Sequence, residues 1–470
     1  MALDPDRISR RRFLELCAAA PIVASRPFGR RTRISPVSRA ALGFADPRRR
    51  LRGDSSVSAA IRTGFQLRPG EPRRPDGGLR SGDVLRGPQH ALDYLRLSFP
   101  DFQRHFIFEY YPWYGANPFR HWDDRGLDPP VDIAARSVPL LGAYDSRDAA
   151  TLERHAKWMV DVGVGAINVS WWGRDSYEDR AVPLLMDVMR AYGIQVTFHL
   201  EPYADDRGAR YISDILYLLK EYGERRRWDA FLLLRNADGR VGPVFKSFAT
   251  ILPREVTDCH GVVHRVPNYT ADGDWRRQTD SIRNELRGEF DHVTLLADTL
   301  DSSRALASGF DGIAIYDNYV EPSTWRFYAE RLVSGNLVFS FNVNPGFDGI
   351  TPRVIDPGSC YRALPFEPSA GTLDFSDPRD RATAMSLGSE RIRESFRTTI
   401  SLQTDTGLVN RRRGFFLVYV NSFNEWHEGH EYEPMKNYAD LTPAERRLGY
   451  HNVDDGSYRL RVLKELIGST

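Results

Sequence analysis

Residues 415–429 read Phe415-Phe-Leu-Val-Tyr-Val-Asn-Ser-Phe-Asn-Glu425-Trp-His-Glu428-Gly429. The first six of these residues are apolar, which is typical of a strand that is buried on both faces. The residues after them are polar and include two glutamates three positions apart. Because an unpaired carboxylate is costly to bury, two glutamates directly after a core strand predict a functional site at the end of that strand.

Seven more apolar runs precede this one, and helical patterns lie between them. The eight predicted strands are 105–111, 165–171, 195–201, 243–248, 292–298, 312–317, 338–344 and 415–422. The predicted helices are 148–162, 180–192, 210–222, 276–287, 323–334, 388–403 and 457–467. This alternation predicts an α/β fold, a (β/α)8 TIM-type barrel with extended βα loops. An open doubly wound sheet is disfavoured, because the chain has neither a Gly-x-Gly-x-x-Gly motif nor a P-loop.

In such a barrel the active site lies at the C-terminal ends of the strands. Polar and aromatic side chains follow the predicted strands at those ends, which predicts a cleft with aromatic walls. The candidates are Tyr111, His121, Trp122, Trp171, Trp172, His199, Glu201, Tyr203, Tyr316, Asn344, Asn424, Trp426 and His427. Trp171 and Trp172 are neighbours on one strand, so one should face inward and the other away.

The pair Glu425 and Glu428 fits glycoside cleavage. That reaction needs one protonated carboxyl at the leaving group and one ionised carboxylate to promote attack, and different surroundings can separate their pKa values. Salt bridging is the structural alternative. A metal site built from His427, Glu428, His430 and Glu431 is disfavoured, because the zinc-protease helix needs His-Glu-x-x-His and this chain has His-Glu-Gly-His.

The N-terminal region differs from the rest in charge. Residues 1–53 contain 13 Arg, no Lys and four acidic residues, a net charge of +9, so the remainder carries 1 − 9 = −8. An acidic body gives no reason to expect nucleic acid as a substrate. Ser9-Arg-Arg-Arg-Phe-Leu14 followed by a short apolar segment is typical of a twin-arginine export signal. A cytoplasmic protein with a disordered basic tail, or a tail that binds anionic surfaces, is the alternative.

The predicted organisation has three parts. Residues 1–25 form the signal peptide, residues 26–100 an Arg/Pro/Gly-rich and mostly disordered linker, and residues 101–470 the catalytic barrel. Cys259 and Cys360 could form one disulfide in a mature chain, and their spacing does not decide whether they do. The chain lacks an apolar run of about 18 residues, so no transmembrane helix is predicted. Oligomeric state is left open.

Several of these motifs together resemble glycoside hydrolase family 99, the endo-α-1,2-mannosidases. The similarity covers about residues 105–433 and includes Asn424-Glu-Trp-His-Glu-Gly429, Phe198-His-Leu-Glu-Pro-Tyr203, Tyr111-Pro-Trp-Tyr114 with His121-Trp122, Ser170-Trp-Trp172 and Asn344-Pro-Gly346. The resemblance implies the same barrel, a mannan or high-mannose glycan as substrate, and neither metal nor organic cofactor.

The resemblance also implies an unusual retaining mechanism. The 2-hydroxyl of the sugar attacks the anomeric carbon and forms a 1,2-anhydro sugar. Glu425 is then the base for that hydroxyl, and Glu428 is first the acid and later the base for water. By position, Tyr111, His199, Glu201 and Asn424 are expected to line the subsite of the cleaved sugar. Trp172 is expected to stack on the preceding sugar, where Trp goes with mannose.

One departure from the family stands at the fourth strand, which usually ends Tyr-Asp-Ser-Tyr and here reads Phe245-Lys-Ser-Phe248. Two hydroxyls are missing and Lys246 replaces an acid, so Lys246 is expected to pair with an acidic neighbour such as Glu201 or to bind substrate. Sites built around hydroxyl hydrogen bonds discriminate strongly between substrates. Two alternatives therefore remain: a hydrolase of another α-linked glycan, and a glycan-binding protein without turnover.

Overall fold

The computed structural model describes residues 88–225, 228–258, 260–318, 320–349 and 373–468. The predicted signal peptide, residues 26–87 of the predicted linker and all three cysteines lie outside these ranges. Within the described residues the dominant feature is one sheet of eight parallel strands. The strands are β1 (Phe106–Tyr110), β2 (Ala166–Trp171), β3 (Gln195–Leu200), β4 (Val241–Ser247), β5 (Thr294–Ala297), β6 (Gly312–Ala314), β7 (Val338–Ser340) and β8 (Val418–Val420).

The strands lie side by side in chain order, and the sheet closes on itself. Each strand from β1 to β6 pairs in parallel with the next, and β1 pairs with β8. Beyond the end of β7, the backbone N–H of Val343 donates to Tyr419 at 2.8 Å, and Asn421 N–H donates back to Val343 at 2.9 Å. These hydrogen bonds link the chain after β7 to β8 and close the ring of strands. The predicted (β/α)8 barrel is therefore confirmed.

Helices surround the barrel. They are α1 (Pro88–Ser98), α2 (Ala149–Val162), α3 (Tyr177–Ala191), α4 (Arg207–Leu218), α5 (Asp272–Glu285), α6 (Ser302–Ala307), α7 (Trp325–Arg331), α8 (Pro378–Thr404), α9 (Val409–Arg413), α10 (Pro443–Arg447) and α11 (Tyr458–Gly468). α3 shows how the sequence directs them. The Ser176 side chain caps its first turn by accepting from Asp179 N–H, and apolar residues at helical spacing are buried against the strands, among them Val182, Leu185 and Met189.

The inside of the barrel has two layers. Its lower part is apolar and includes Ile107, Val244, Leu296 and Leu417. Above this part, nearer the C-terminal ends of the strands, buried polar side chains face one another, and β1, β3 and β4 contribute most of them. The apolar layer supplies the rigid base on which the polar layer is placed.

All eight strands are where the sequence predicts them, but most are shorter. Asn342 illustrates the reason, because its side-chain amide donates to the backbone oxygens of Ile315 and Tyr316 at 3.0 and 2.7 Å. These side-chain bonds replace the regular ladder, so β7 ends at Ser340 although its apolar pattern continues to 344. Elements missed by the sequence include α1, α6 and a short antiparallel strand, Leu233–Arg235, beside β4.

The predicted boundary between linker and barrel at residue 100 is wrong. α1 begins at Pro88 and buries Ala91, Leu92 and Leu95 in the main core. This 3–4 spacing is a helical signal, but it follows an Arg/Pro/Gly-rich segment that conceals it. In the described part of the chain, no helix combines the length and apolar character needed to cross a bilayer.

Candidate active site

The loop after β8 carries both glutamates and is held by side-chain hydrogen bonds. Asn424 accepts from Tyr111 N–H at 2.8 Å and donates to Tyr111 O at 3.0 Å, which ties the loop to the end of β1. The hydroxyl of Ser422 accepts from Glu425 N–H at 2.8 Å. Asn424 and Ser422, which are neighbours of Glu425 in sequence, therefore hold the backbone of this loop and place Glu425 at the C-terminal end of the barrel.

Glu425 lies beside His427 and is 1% exposed. Its Oε1 is 3.4 Å from His427 Nδ1 and accepts from His427 N–H at 3.2 Å. The other ring nitrogen, Nε2, is 3.4 Å from Asp124 Oδ2. Burial lowers the pKa of His427, but hydrogen bonds and charge from Asp124 and Glu425 outweigh burial and raise this pKa to about 10. His427 is therefore an imidazolium at neutral pH, held between two carboxylates.

Glu428 has a different environment and keeps 9% of its surface exposed. Its Oε2 accepts from the hydroxyl of Tyr316 at 2.8 Å and lies 2.7 Å from His430 Nε2. Tyr316 and His430 are themselves 3.1 Å apart, so the three groups form a triangle. One glutamate thus contacts an imidazolium, and the other contacts a phenol and a second imidazole, which is the asymmetry that two carboxyls with different roles require.

Aromatic rings form the wall on the side of Glu425. Trp113 packs near Tyr111, His121 and Trp172, with ring centroids 4.9, 4.7 and 6.2 Å away. Trp172 is half-buried at this rim and donates from its indole to Ser170 at 3.1 Å. His121 and Trp172 are the partly exposed members of this wall, and an amphipathic ring at such a rim suits contact with sugar rings.

Trp171 does not lie at the rim, so its predicted role in substrate binding is wrong. It is fully buried behind β2, where its indole donates to Asp179 at 2.6 Å. The expectation that the two neighbouring tryptophans face opposite ways is confirmed, since Trp172 is the one at the rim. The alternation of side chains along a strand is the physical reason.

Four other predicted binding residues support the site from behind. Trp122 stacks on Tyr114 with centroids 4.1 Å apart, and Trp426 donates to Glu433 at 2.9 Å. Tyr203 donates to Asp214 and packs edge-on against Trp171. Asn344 accepts from Arg391 at 3.2 Å. Trp122, Trp426 and Asn344 are fully buried and Tyr203 is mostly so, so they order the loops rather than face a cleft.

The floor of the site contains a buried charged group that the sequence only partly predicted. Lys246 donates to Glu109 Oε1 at 2.6 Å, so it pairs with an acidic neighbour as predicted, but this neighbour is Glu109 and not Glu201. Glu109 Oε2 accepts from His199 Nδ1 at 3.0 Å. Burial raises the pKa of Glu109, but His199 and Lys246 outweigh burial and hold it at about 2. Glu201 instead accepts from Ser170 at 2.8 Å.

Glu109 and Asp124 are the functional residues that the sequence analysis missed. Glu109 is the single acid within the strand Phe-Ile-Phe-Glu-Tyr. Burial of a lone carboxylate is costly, so this acid was a usable signal. Asp124 lies in an irregular loop after His121-Trp122, and nothing in its local sequence distinguishes it from an ordinary surface acid.

One group of side chains has the geometry of a metal site, although none was predicted. Ligand atoms of His121, Asp124 and His427 all lie within 4.8 Å of one another. His121 Nδ1 is 3.1 Å from Asp124 Oδ2, and two imidazoles with one carboxylate are a donor set that divalent transition metals accept. The same distances are satisfied by hydrogen bonds, and His427 Nε2 also donates to His121 O at 3.0 Å. The metal group weighed from the sequence consisted of His427, Glu428, His430 and Glu431. The group that has metal-site geometry shares only His427 with it.

Comparisons with known proteins find similarity to endo-α-mannosidases. Residues 101–236 match the model of glycosyl hydrolase family 99. Over 401 residues the chain is 26% identical to a glycoprotein endo-alpha-1,2-mannosidase of Xenopus laevis, covering 75% of this chain and 76% of that protein. It is 24% identical over 379 residues to a human glycoprotein endo-alpha-1,2-mannosidase-like protein, covering 72% of each.

A solved structure supports the fold. The GH99 endo-alpha-mannosidase from Bacteroides thetaiotaomicron is 21% identical, and the match covers 78% of this chain and 97% of that one with a TM-score of 0.54. At this identity the likeness shows the fold alone, and it agrees with the closed parallel barrel. With the pair of glutamates at the barrel mouth, the sequence matches indicate that the chain is a glycosidase similar to glycosyl hydrolase family 99.

Proposed function

We propose that the protein is an endo-acting hydrolase of α-1,2-mannosidic linkages in mannan or high-mannose glycans. The observation that carries this proposal is the placement of Glu425 and Glu428 after β8 in two different hydrogen-bond environments. The names of the matched relatives supply the linkage and the endo mode. Trp172 is partly exposed and offers a ring of the kind that packs on pyranose C–H groups.

We further propose that the reaction retains configuration through a 1,2-anhydro sugar. In the first step Glu425 takes the proton of the 2-hydroxyl, O2 attacks C1, and the bond from C1 to the leaving oxygen breaks as Glu428 protonates that oxygen. In the second step water attacks C1 and gives its proton to Glu428, while the C1–O2 bond breaks and Glu425 returns its proton to O2. His427 supports the first role, since an adjacent imidazolium stabilises a carboxylate before it accepts a proton.

The sugar subsite is assigned to Tyr111, His199 and Glu201, as expected from the resemblance. Asn424 has a different role, because both ends of its amide are already engaged by the backbone of Tyr111. It acts by fixing the loop that carries Glu425. We keep it as a positioning residue rather than a group that binds sugar.

The second candidate is hydrolysis of a different α-linked glycan, and the fourth strand favours it. Phe248 is 2% exposed and packs edge-on against His199 and Tyr316, with centroids 5.9 and 5.3 Å away. An apolar ring beside the floor of the site cannot satisfy a sugar hydroxyl, so a glycan lacking a polar group at that point is the alternative substrate.

A panel of α-linked oligosaccharides, with product lengths and anomeric configuration recorded, tests the proposal. We expect cleavage of α-1,2-mannan to internal fragments with retained configuration. Release of single terminal sugars would contradict the endo mode, and cleavage restricted to other linkages would select the second candidate. The third possibility is that the protein binds glycan without cleaving it. Binding and cleavage are then measured for wild type and for Glu428→Gln. A glycan that both proteins bind and neither cleaves would establish this possibility.

Export through the twin-arginine route is also proposed, on the basis of Ser9–Leu14. A reporter fused after residue 60 should leave the cytoplasm, and replacement of Arg10, Arg11 and Arg12 by lysine should keep it inside. Efficient export of the lysine variant would contradict the route. A reporter that stays in the cytoplasm with the native sequence would favour a basic tail.

A further inference from the structure

A lysine with no exposed surface lies at the floor of the site. The Nζ of Lys246 is 2.6 Å from Glu109 Oε1, and both side chains are 0% exposed. Its charge also lies 4.6 Å from the ring centroid of Tyr419 and 5.3 Å from that of Tyr316. Burial of a lysine with a single carboxylate partner costs desolvation that the pair does not fully recover, so stability alone does not account for it.

Glu109 connects this lysine to the predicted sugar subsite. While Oε1 binds Lys246, Oε2 accepts from His199 Nδ1 at 3.0 Å and from the Asn168 amide at 2.9 Å. A carboxylate accepts only, so the proton of His199 is on Nδ1. Among the described residues, His199 Nε2 is buried without a hydrogen-bond partner. This nitrogen is a polar atom that a ligand can satisfy.

We propose that Lys246 and Glu109 are positioning residues for His199, and that together they hold its Nε2 in place to hydrogen-bond a sugar hydroxyl. Glu109 fixes the ring through its Nδ1. Lys246 binds the other oxygen of Glu109, so that the carboxylate stays in place while it orients His199. The proposal rests on the proposed function for the identity of the ligand, but not for the orientation of the histidine.

The charges around His199 show why the lysine matters. Groups that face it come from β1, its own strand, β4 and the ends of β5 and β6: they are Glu109, Glu201, Lys246, Asp298 and Tyr316. Three of these five are acids and only Lys246 is a cation. Without Lys246, Glu109 would lose the one cation of this group, and the carboxylate that orients His199 would be held less firmly.

The experiment compares Lys246→Met, Glu109→Gln and the double variant. Each single variant leaves a buried group without its partner, so both the melting temperature and kcat/KM should fall. The double variant removes the charge imbalance and should regain most of the melting temperature. Its kcat/KM should stay about tenfold to a hundredfold low, the loss typical when a histidine loses its orienting carboxylate. Recovery of both quantities would overturn the proposal and leave the pair as structural only.

A spectroscopic measurement is independent of substrate. Nitrogen-15 NMR of the histidine rings, with His199→Gln to assign the signal, should show the Nδ1–H of His199 in a hydrogen bond to Glu109 in wild type. In Lys246→Met the same Nδ1–H signal should shift and broaden, because Glu109 loses the partner that fixes it. An unchanged His199 signal in Lys246→Met would overturn the proposal. If wild type fails to cleave α-1,2-mannan, this signal still tests the positioning role separately from the proposed function.

The matched control is another lysine–glutamate pair. Lys436 Nζ is 2.8 Å from Glu445 Oε1, outside the site. Lys436→Met with Glu445→Gln should leave kcat/KM and the His199 signal as in wild type. A matching loss of kcat/KM in this control would show that any removed ion pair lowers activity, and would overturn the assignment to Lys246 and Glu109.

Discussion

The two sides of the active site differ in what holds each glutamate. On one side Glu425 is almost completely buried beside His427, whose charge is fixed by a second carboxylate, Asp124. On the other side Glu428 is more exposed and shares a triangle with Tyr316 and His430. The first carboxylate therefore has a cation beside it, and the second has a phenol and an imidazole. Two identical side chains three residues apart thus acquire different surroundings from residues that are far away in sequence.

The largest effect is expected from replacing either glutamate. Glu425→Gln and Glu428→Gln should each lower kcat on a natural glycan by about 10²–10⁴-fold, the range for loss of a general acid or base. A substrate with an activated aryl leaving group should rescue Glu428→Gln in part, because such a group leaves without protonation. It should not rescue Glu425→Gln.

Steady-state kinetics on both substrates measure this difference, with Glu153→Gln on the surface of α2 as the control variant. Equal rescue of the two variants would contradict different roles for the two glutamates, since it would mean that they are interchangeable. Rescue of Glu425→Gln alone would reverse the two roles.

A smaller effect is expected from His427→Asn. This variant removes a charged partner of Glu425, and kcat should fall about tenfold to a hundredfold, as for loss of a hydrogen bond to a charged group. It should also change the dependence of stability on pH. The folded pKa of His427 is raised from 6.5 to about 10, so its contribution to the free energy of unfolding is complete below about pH 6.5 and is lost as the pH rises to about 10.

Urea unfolding at pH 6, 8 and 10 measures that contribution. Wild type should lose stability over this range relative to His427→Asn, so that the difference between them is largest at pH 6. A constant difference across the three pH values would show that His427 does not carry the charge assigned to it.

On the Glu428 side the matching change is Tyr316→Phe. It removes the hydroxyl that donates to Glu428 at 2.8 Å and keeps the ring. A neutral hydrogen bond contributes about 0.5–1.5 kcal/mol, so kcat should fall about twofold to tenfold. The alkaline limb of the pH–rate profile, which reports the group that acts as acid, should move. The acid limb, which reports the base, should stay in place.

Phe248→Tyr is a useful contrast in the same measurement, because it restores a hydroxyl of the family pattern beside Tyr316. A loss in Tyr316→Phe as large as in Glu428→Gln would contradict a supporting role for the phenol. An unchanged pH–rate profile in Tyr316→Phe would show that the phenol does not influence Glu428.

The smallest effect is expected from chelation. The reaction is assigned to two carboxylates, so dialysis against EDTA should leave kcat unchanged. Added Zn²⁺ tests the group of His121, Asp124 and His427 directly. Loss of activity on chelation and recovery with metal would make this group a working metal centre and would alter the role of His427.

Much of the site was predictable because its residues are close in sequence or follow strands. The apolar run before Asn421 placed Glu425 and Glu428 at the end of β8, and alternation along β2 separated Trp171 from Trp172. The partners of these residues were not predictable. Asp124, Tyr316 and Lys246 reach the site from three other loops and strands, and an ion pair across a barrel leaves no periodic pattern in the chain.

The sequence by itself determined the eight βα units, the carboxylate pair and the resemblance to family 99, because strand periodicity and local motifs depend on neighbouring residues. Only the tertiary structure decided that Lys246 pairs with Glu109 rather than Glu201, that His427 lies between two carboxylates, and that α1 belongs to the core. Closure of the barrel brings β1, β3, β4 and β8 together, and charge interactions depend on distances in space, which a linear sequence does not specify.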